Sequence, residues 1–196
     1  GSKIIIVEPL GNPLLAINEP IDFMAIVPLQ LNNILEEPSC LLKLESIRTT
    51  IVGGAPVSHT LQKKLNPVRA NVWATFGMTE TLTHFALRQL SPLEEESFQV
   101  LKTTKIKSDS RGCLVVQSPV TNNAEIFTND LVDIKTSDRF IWLGRIDNVI
   151  NSGGVKLQIE SLETKTALLF SELELENSFF IGPLADSKLN ETVCLV

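Results

Sequence analysis

Ile47-Arg48-Thr49-Thr50-Ile51-Val52-Gly53-Gly54-Ala55-Pro56-Val57-Ser58-His59-Thr60-Leu61-Gln62-Lys63-Lys64-Leu65-Asn66-Pro67 reads as three elements in a row. The β-branched run from Ile47 ends on a glycine pair, which predicts a buried strand running into a tight loop. Ser58 is placed to accept from the first free N–H groups of a helix over His59 to Leu65, and Pro67 closes that helix. The pattern then begins again: Ala70 to Thr75 is a short strand, Gly77 turns the chain, and Thr79 opens a second helix start. Strand, glycine loop, helix, strand, glycine loop is the grammar of an α/β sheet.

Upstream, a short apolar run at Ile4 to Val7 gives way to proline and glycine punctuation. An amphipathic segment follows from Phe23 to Leu35, which Pro28 must bend or start, with helix over 29–35. Downstream of about residue 98 the grammar changes. Gly112 to Gln117, Ala124 to Phe127, Leu131 to Lys135 and Arg139 to Leu143 carry alternating or β-branched apolar residues separated by turn signals, which predicts a small antiparallel β subdomain. From Arg145 the chain makes a polar crossing to Gly153 and Gly154. A helix is expected from about Gln158, then strands over Ser178 to Ile181 and Thr192 to Val196.

Composition narrows the function. The 196 residues are 43% hydrophobic, enough for a buried core, and carry a formal net charge of −6. An acidic balance argues against a nucleic-acid partner, whose affinity would come from clustered Lys and Arg. Lys102 to Lys107 is interrupted by threonines and reads as a solvated strand or loop face. Cys40, Cys113 and Cys194 lie far apart and suit neither a disulfide framework nor metal-ligand spacing. No apolar run reaches the roughly 18 residues of a membrane span, and no basic-then-apolar leader opens the chain. A cytoplasmic protein without a membrane partner is expected, with Gly1 and Ser2 read as a cloning scar.

Several clusters can carry chemistry. In Thr75-Phe76-Gly77-Met78-Thr79-Glu80-Thr81, at the C-terminal end of a predicted strand, glycine permits close backbone approach, threonines offer hydroxyls to phosphate, and Glu80 offers a hard oxygen to magnesium. An ordinary strand-to-helix turn, with Thr79 as the cap, explains the same residues. Asp130, in Phe127-Thr128-Asn129-Asp130-Leu131 between two short strands, suits a ribose diol or an Asx turn. In Gly144-Arg145-Ile146-Asp147-Asn148 the guanidinium suits ribose or phosphate oxygens, or a surface ion pair with Asp147. Asn151-Ser152-Gly153-Gly154 lacks the spacing of the known phosphate loops and reads as a turn. Gly53-Gly54-Ala55-Pro56 either lets a ligand ring lie flat on backbone or turns the chain. His84, expected on a helix, points at a substrate or caps a polar face, and His59 reads as a solvated helix residue. Hydrolase and zinc-protease signatures are absent from the sequence.

The order and spacing of these motifs resemble the adenylate-forming superfamily of acyl-CoA synthetases, luciferases and peptide-synthetase adenylation domains. In that family a Gly-Gly-Ala-Pro loop precedes Tyr-Gly-x-Thr-Glu, then Thr-Gly-Asp, then Gly-Arg-x-Asp-x-x-x-x-x-Gly-Gly. The counterparts are residues 53–56, residues 76–80 with Phe76 for tyrosine, residues 128–130 with Asn129 for glycine, and residues 144–154. The resemblance implies that Gly54, Ala55, Pro56, Phe76, Gly77 and Met78 border the nucleotide, with Phe76 stacking on adenine. It further implies that Thr79 contacts the α-phosphate, Glu80 the magnesium, and Asp130 and Arg145 the ribose. Asp147 matches the hinge about which a small C-terminal domain rotates, and Gly153 and Gly154 lie on a loop facing CoA.

The string 74–88 is most similar to o-succinylbenzoate-CoA ligases of menaquinone synthesis, which would place Gly53, Thr83 and His84 beside the aromatic acid. The implied fold is the second half of a large α/β domain with its antiparallel β subdomain (1–146, split into 3–98 and 99–146), followed by an incomplete small α+β domain from 147 to 196. The implied function is an ATP-dependent acyl-CoA ligase using ATP, Mg and CoA. Nothing from Lys3 to Glu19 matches the family's phosphate loop, and its catalytic lysine is expected beyond Val196. The chain is therefore expected to be truncated at both ends, inactive alone, and homo-oligomeric through exposed strand edges. Two competing readings remain open: an adenylation domain loading a carrier protein, and a non-catalytic nucleotide-binding module.

Overall fold

Thr49–Val52 (β2) runs parallel to Phe23–Ile26 (β1) on one side and to Val72–Gly77 (β3) on the other. Parallel neighbours need a crossover. Between β1 and β2 it consists of two helices, Pro28–Leu35 (α1) and Pro38–Ser46 (α2), each with a proline in its first turn, where the missing N–H costs nothing. Between β2 and β3 it is His59–Leu65 (α3). Ser58 caps α3 by accepting from the N–H of Leu61 at 3.2 Å. Pro28 thus starts a helix rather than bending one. The computed structural model describes residues 3–173, 175 and 179–196.

The chain forms two compact units: residues up to Gly77 with His84–Glu96, and Met78–Thr83 with Ser97–Val196. In the first unit, β3 pairs antiparallel with His84–Ser91 (β4). This corrects the helix expected from Thr79. Thr79–Thr81 makes a single 3₁₀ turn, Leu82 ends it at φ 60°, and the chain returns as a strand. Phe85, Ala86, Leu90 and Ser91 are buried along β4, so sheet packing outweighed a helix start that only local signals supported. His84 accordingly lies on a strand, not on a helix. His59 is in the first turn of α3 and is only partly solvated: the residue is half-buried and its Nε2 is shielded from solvent.

In the second unit the strands Phe98–Val100 (β5), Lys105–Ser108 (β6), Cys113–Gln117 (β7), Glu125–Thr136 (β8) and Arg139–Arg145 (β9) lie in the order β5-β9-β8-β7-β6, all antiparallel. Cys113 through Val116 are all buried, so β7 is covered on both faces and its continuous apolar run needed no alternation. Phe140 stacks on Phe98 with ring centroids 5.5 Å apart. The two strands expected around Asp130 are one. Thr128-Asn129-Asp130 has turn chemistry, yet the pairing with β9 carries the chain through it.

The polar crossing after Arg145 is a hairpin, Val149–Ser152 (β10) and Val155–Gln158 (β11), closed by Gly153 and Gly154 at φ 58° and 86°. That left-handed pair is the two-residue turn that suits the strand twist. Ile159–Glu172 (α4), Ile181–Asp186 (β12) and Asn190–Leu195 (β13) follow, and the sheet order is β11-β10-β13-β12. Ile150, Ile159 and Ile181 form its core, with Leu157, Leu162 and Phe179 against it. Ser178, where a strand was expected to begin, lies outside the described residues.

Gly53 joins β2 to the loop before α3. Its N–H donates to Ile26 O at 3.0 Å. A Cβ at this position would overlap Thr75 Oγ1, whose hydroxyl donates to Val52 O at 3.2 Å. Gly53→Ala should therefore cost about 1–3 kcal/mol by overpacking. In chemical denaturation, Thr75→Ala should recover part of that loss in the Gly53→Ala background, a coupling above about 0.5 kcal/mol.

Candidate functional site

In the first unit, the loop 53–56 leaves β2 with Gly54 at φ 86°, a conformation that glycine adopts without strain. Gly54, Ala55 and Pro56 are exposed, so their backbone is open to a ligand. Pro56 also lines a shallow depression of about 260 Å³ with Pro28, Leu29, Asn32, Ser58, Thr60 and Leu61. Phe76 and Gly77 end β3. Phe76 is half-buried and meets Phe85 edge-on, with centroids 5.7 Å apart at 80°. Its ring is thus held by β4, and His84 pairs with Gly77 across the same two strands.

In the second unit, Met78–Thr83 is a turn built around the buried Thr81. The Thr81 hydroxyl accepts from Met78 N at 3.1 Å and lies within 3.0 Å of Met78 O and 2.9 Å of Thr83 O. Thr79 and Glu80 therefore project from a turn whose inner residue is fixed, and both are exposed. Leu82 at φ 60° carries backbone strain in this turn.

Asp130 is only 9% exposed. Its Oδ1 accepts from Trp142 Nε1 at 2.9 Å, and its Oδ2 makes no hydrogen bond among the described residues. The Oδ2 atom is not among the buried atoms left without a partner, so it is open to solvent and free to accept from a ligand. Asp130 stands directly across the β8–β9 ladder from Arg145, so the two side chains leave the same face of the sheet. Arg145 grips Asp147 with a two-pronged fork, Nε to Oδ1 at 2.9 Å and Nη2 to Oδ2 at 2.7 Å. Asn129 Nδ2 adds a third bond to Asp147 Oδ2 at 3.1 Å. These contacts, Arg145 first and Asn129 second, hold the Asp147 carboxyl down at about 2 and raise the Arg145 guanidinium above its ordinary value.

Gly144 precedes this pair at φ 126°, and a Cβ there would meet Glu160 Oε2 at 2.8 Å and Gln158 Nε2 at 2.9 Å. The start of α4 thus packs directly under the Arg145 backbone. Gly153 and Gly154 tip the β10–β11 hairpin. The Gly153 N–H donates to Leu189 O at 2.9 Å, and a Cβ on Gly154 would meet nothing within 4 Å.

The structure brings Asp130, Arg145 and Asp147 together. Gly53 to Pro56, Phe76, Gly77 and His84 belong to the first unit, whereas Met78 to Thr83 and the hairpin glycines belong to the second. Thr81, one of the threonines whose hydroxyls were expected to face phosphate, is buried and spends its hydroxyl on the turn itself, and sequence reasoning missed Trp142 and Arg111, which act by holding others. Only the indole N–H of Trp142 hints at its role, since a buried indole seeks an acceptor. Glu80 suits magnesium as a single carboxylate ligand completed by substrate phosphates, and the described residues contain no cluster of three or more metal-ligating side chains. The open Asp130 oxygen and the Arg145 donors suit a nucleotide ribose.

Because the carboxyl of Asp147 is depressed in the folded chain, its contribution to stability is present above the unfolded value of about 3.9 and is lost as pH falls toward about 2. Asp147→Asn should lower the urea midpoint at neutral pH. The difference from the parent chain should shrink as pH is lowered below about 4.

A family model described as AMP-binding enzyme matches residues 1–115. The 2-succinylbenzoate–CoA ligase of Staphylococcus epidermidis is 28% identical over 144 residues, which are 69% of this chain and 30% of that protein. A solved acyl-CoA synthetase (AMP-forming)/AMP-acid ligase II-like protein from Dyadobacter fermentans is 38% identical, with a TM-score of 0.67 over 96% of this chain and 54% of its own. The o-succinylbenzoate CoA synthetase of Bacillus subtilis, solved with ATP and magnesium, has a TM-score of 0.67 at 21% identity over 89% of this chain and 41% of its own, a likeness of fold alone. The chain thus spans 30% of the curated relative and 54% or less of these two solved chains.

Proposed function

The chain belongs to the AMP-binding enzyme family, and from that premise we propose that it supplies nucleotide-handling residues to an ATP-dependent acid–CoA ligase. One observation carries the reading: a buried carboxylate, Asp130, with one oxygen held by Trp142 and the other open, stands across a strand pair from a guanidinium. An acceptor and a forked donor side by side complement the two hydroxyls of a ribose.

The remaining roles follow from chemistry. The Thr79 hydroxyl and Met78 backbone suit the α-phosphate, and Glu80 suits the magnesium that neutralises phosphate charge. Phe76 and the Gly54-Ala55-Pro56 backbone suit the faces of adenine. The acid's carboxylate attacks the α-phosphorus of ATP, releasing pyrophosphate, and CoA thiol then displaces AMP from the acyl-adenylate. Asp147 serves as the hinge between the two steps, with Gly153 and Gly154 facing CoA. The acid is o-succinylbenzoate, bordered by Gly53, Thr83 and His84; the similarity to the Staphylococcus ligase supports this choice. The reading includes a reducing, cytoplasmic setting, in keeping with the three free cysteines. It also includes self-association through β1, a terminal strand in the sheet order.

Calorimetric titration of the chain with AMP tests the nucleotide half of this reading. Binding should weaken about tenfold or more in Asp130→Asn, which keeps the shape and removes the charge that strengthens the hydrogen bond. Equal affinity in both chains would remove Asp130 from the site. Turnover of ATP, CoA and o-succinylbenzoate by the whole protein tests the other half, and turnover with other acids alone would discard the proposed substrate while keeping the reaction.

A further inference from the structure

Asn129 occupies the position at which the family pattern over residues 128–130 has glycine, and its side chain is engaged on both sides. Its Oδ1 accepts from Arg111 Nη1 at 3.2 Å, and its Nδ2 donates to Asp147 Oδ2 at 3.1 Å. Chemistry fixes this orientation. A guanidinium only donates and an ionised carboxylate only accepts, so a flipped amide would face both partners wrongly. Arg111 is itself anchored: Nε donates to Asp109 Oδ2 at 2.9 Å and Nη2 to Thr128 O at 2.8 Å. Asp109 is held in turn by the N–H groups of Arg111 and Cys113 at 2.8 and 3.0 Å. An unbroken run of polar contacts therefore leads from the turn before β7, through Asn129, to Asp147 and Arg145.

Arg145 and Asp147 are each 47% exposed. An exposed ion pair between two flexible side chains fixes little by itself. Residue 147 also lies beyond β9, in the turn that leads to β10, so the ladder does not restrain it directly. A third partner from β8 changes this. We propose that Asn129 is a positioning residue: by tying the Asp147 carboxylate to β8 it holds the Arg145 guanidinium beside Asp130, preorganised for a vicinal diol. The proposal rests on the nucleotide-binding reading above. With glycine at 129, Asp147 and Arg145 would remain joined to each other and free to swing as a pair, and the ligand would bear the entropic cost of ordering them.

The depressed Asp147 carboxyl agrees with this geometry, since Asn129 is the second cause of its lowering after Arg145. The other charged or titratable groups around the pair are Arg111 and Asp109 from the turn before β7, Cys113 at the start of β7, Asp130 on β8 and Glu160 on α4. The uncharged Asn129 is the residue that ties Asp147 to β8 by a side-chain hydrogen bond.

The test uses the full 196-residue chain with Asn129→Ala, and reads two quantities. The first is the titration midpoint of the Asp147 carboxyl, followed by its carbon NMR signal. It should rise from about 2 toward, without reaching, the ordinary carboxylate value, because Arg145 remains. The second is affinity for AMP against 2′,3′-dideoxy-AMP, which lacks the diol. The preference of the parent chain for AMP should shrink about fivefold in the variant, as expected for one net hydrogen bond's worth of ordering. Asn129→Asp is the second variant. It is isosteric and keeps the acceptor for Arg111, so the fold is preserved, but it has no donor for Asp147, and the midpoint should again rise. An unmoved midpoint in both variants overturns the tie between Asn129 and Asp147. A raised midpoint with an unchanged preference for AMP overturns the positioning role and leaves the nucleotide site standing. If the parent chain shows no preference for AMP over the dideoxy compound, the diol reading falls and the positioning role falls with it, while the midpoint still reports on the tie itself.

Discussion

The pairing of Asp130 with Arg145 across β8 and β9 is the constraint on which the second unit's candidate site depends. Two side chains fifteen residues apart in sequence are brought to one face of a ladder, one an acceptor and the other a donor. Neither position is free to drift. A one-residue slip of β9 against β8 would send Arg145 to the face opposite Asp130. The register is secured on either side: Phe140 is locked under Phe98 at one end, and the Ile146 N–H donates to Asn129 O at 2.8 Å at the other.

Burial then separates the roles of the two partners. Asp130 is the one acidic or basic side chain that is buried among the described residues. Trp142 supplies the donor for one of its oxygens, and the other is left open to solvent. Arg145 is half-exposed and satisfied by Asp147, which avoids the large desolvation penalty of a buried ion pair. The donor side can therefore reorganise at modest cost, while the acceptor side is rigid. The Gly144 backbone packs against Gln158 and Glu160 without a Cβ between them, so α4 leans on the same short segment. A shift of α4 would be felt first at Arg145.

The parts of this arrangement that were legible in the sequence are those written locally. Ser58 before an amphipathic run, Pro28 at a helix start and Gly153-Gly154 between short strands each state their own conformation within a few residues. Local signals also misled. Thr79-Glu80-Thr81 has the composition of a helix start, and Thr128-Asn129-Asp130 that of a turn, but hairpin pairing prevailed, just after the first and through the second. β4 gained the buried Phe85, Ala86 and Leu90 by pairing with β3, and β8 gained its whole ladder with β9. Trp142 and Arg111 were invisible for a different reason. Their value lies in partners 12 and 18 residues away, and no short window contains both ends of such a bond.

The same distinction separates groups that hold shape from groups that meet ligand. Thr81, Trp142 and Arg111 spend their hydrogen bonds on protein partners, whereas Thr79, Glu80 and Gly154 stand exposed on turns. A phosphate or a hydrated cation is best met by groups of the second kind, since desolvating them in advance would cost more than the bound state returns. A ribose diol is neutral and offers only hydroxyls, so the group that receives it can be held in a drier place. Under the proposed nucleotide reading, the buried Asp130 thus suits the neutral ribose and the exposed Glu80 suits the hydrated cation.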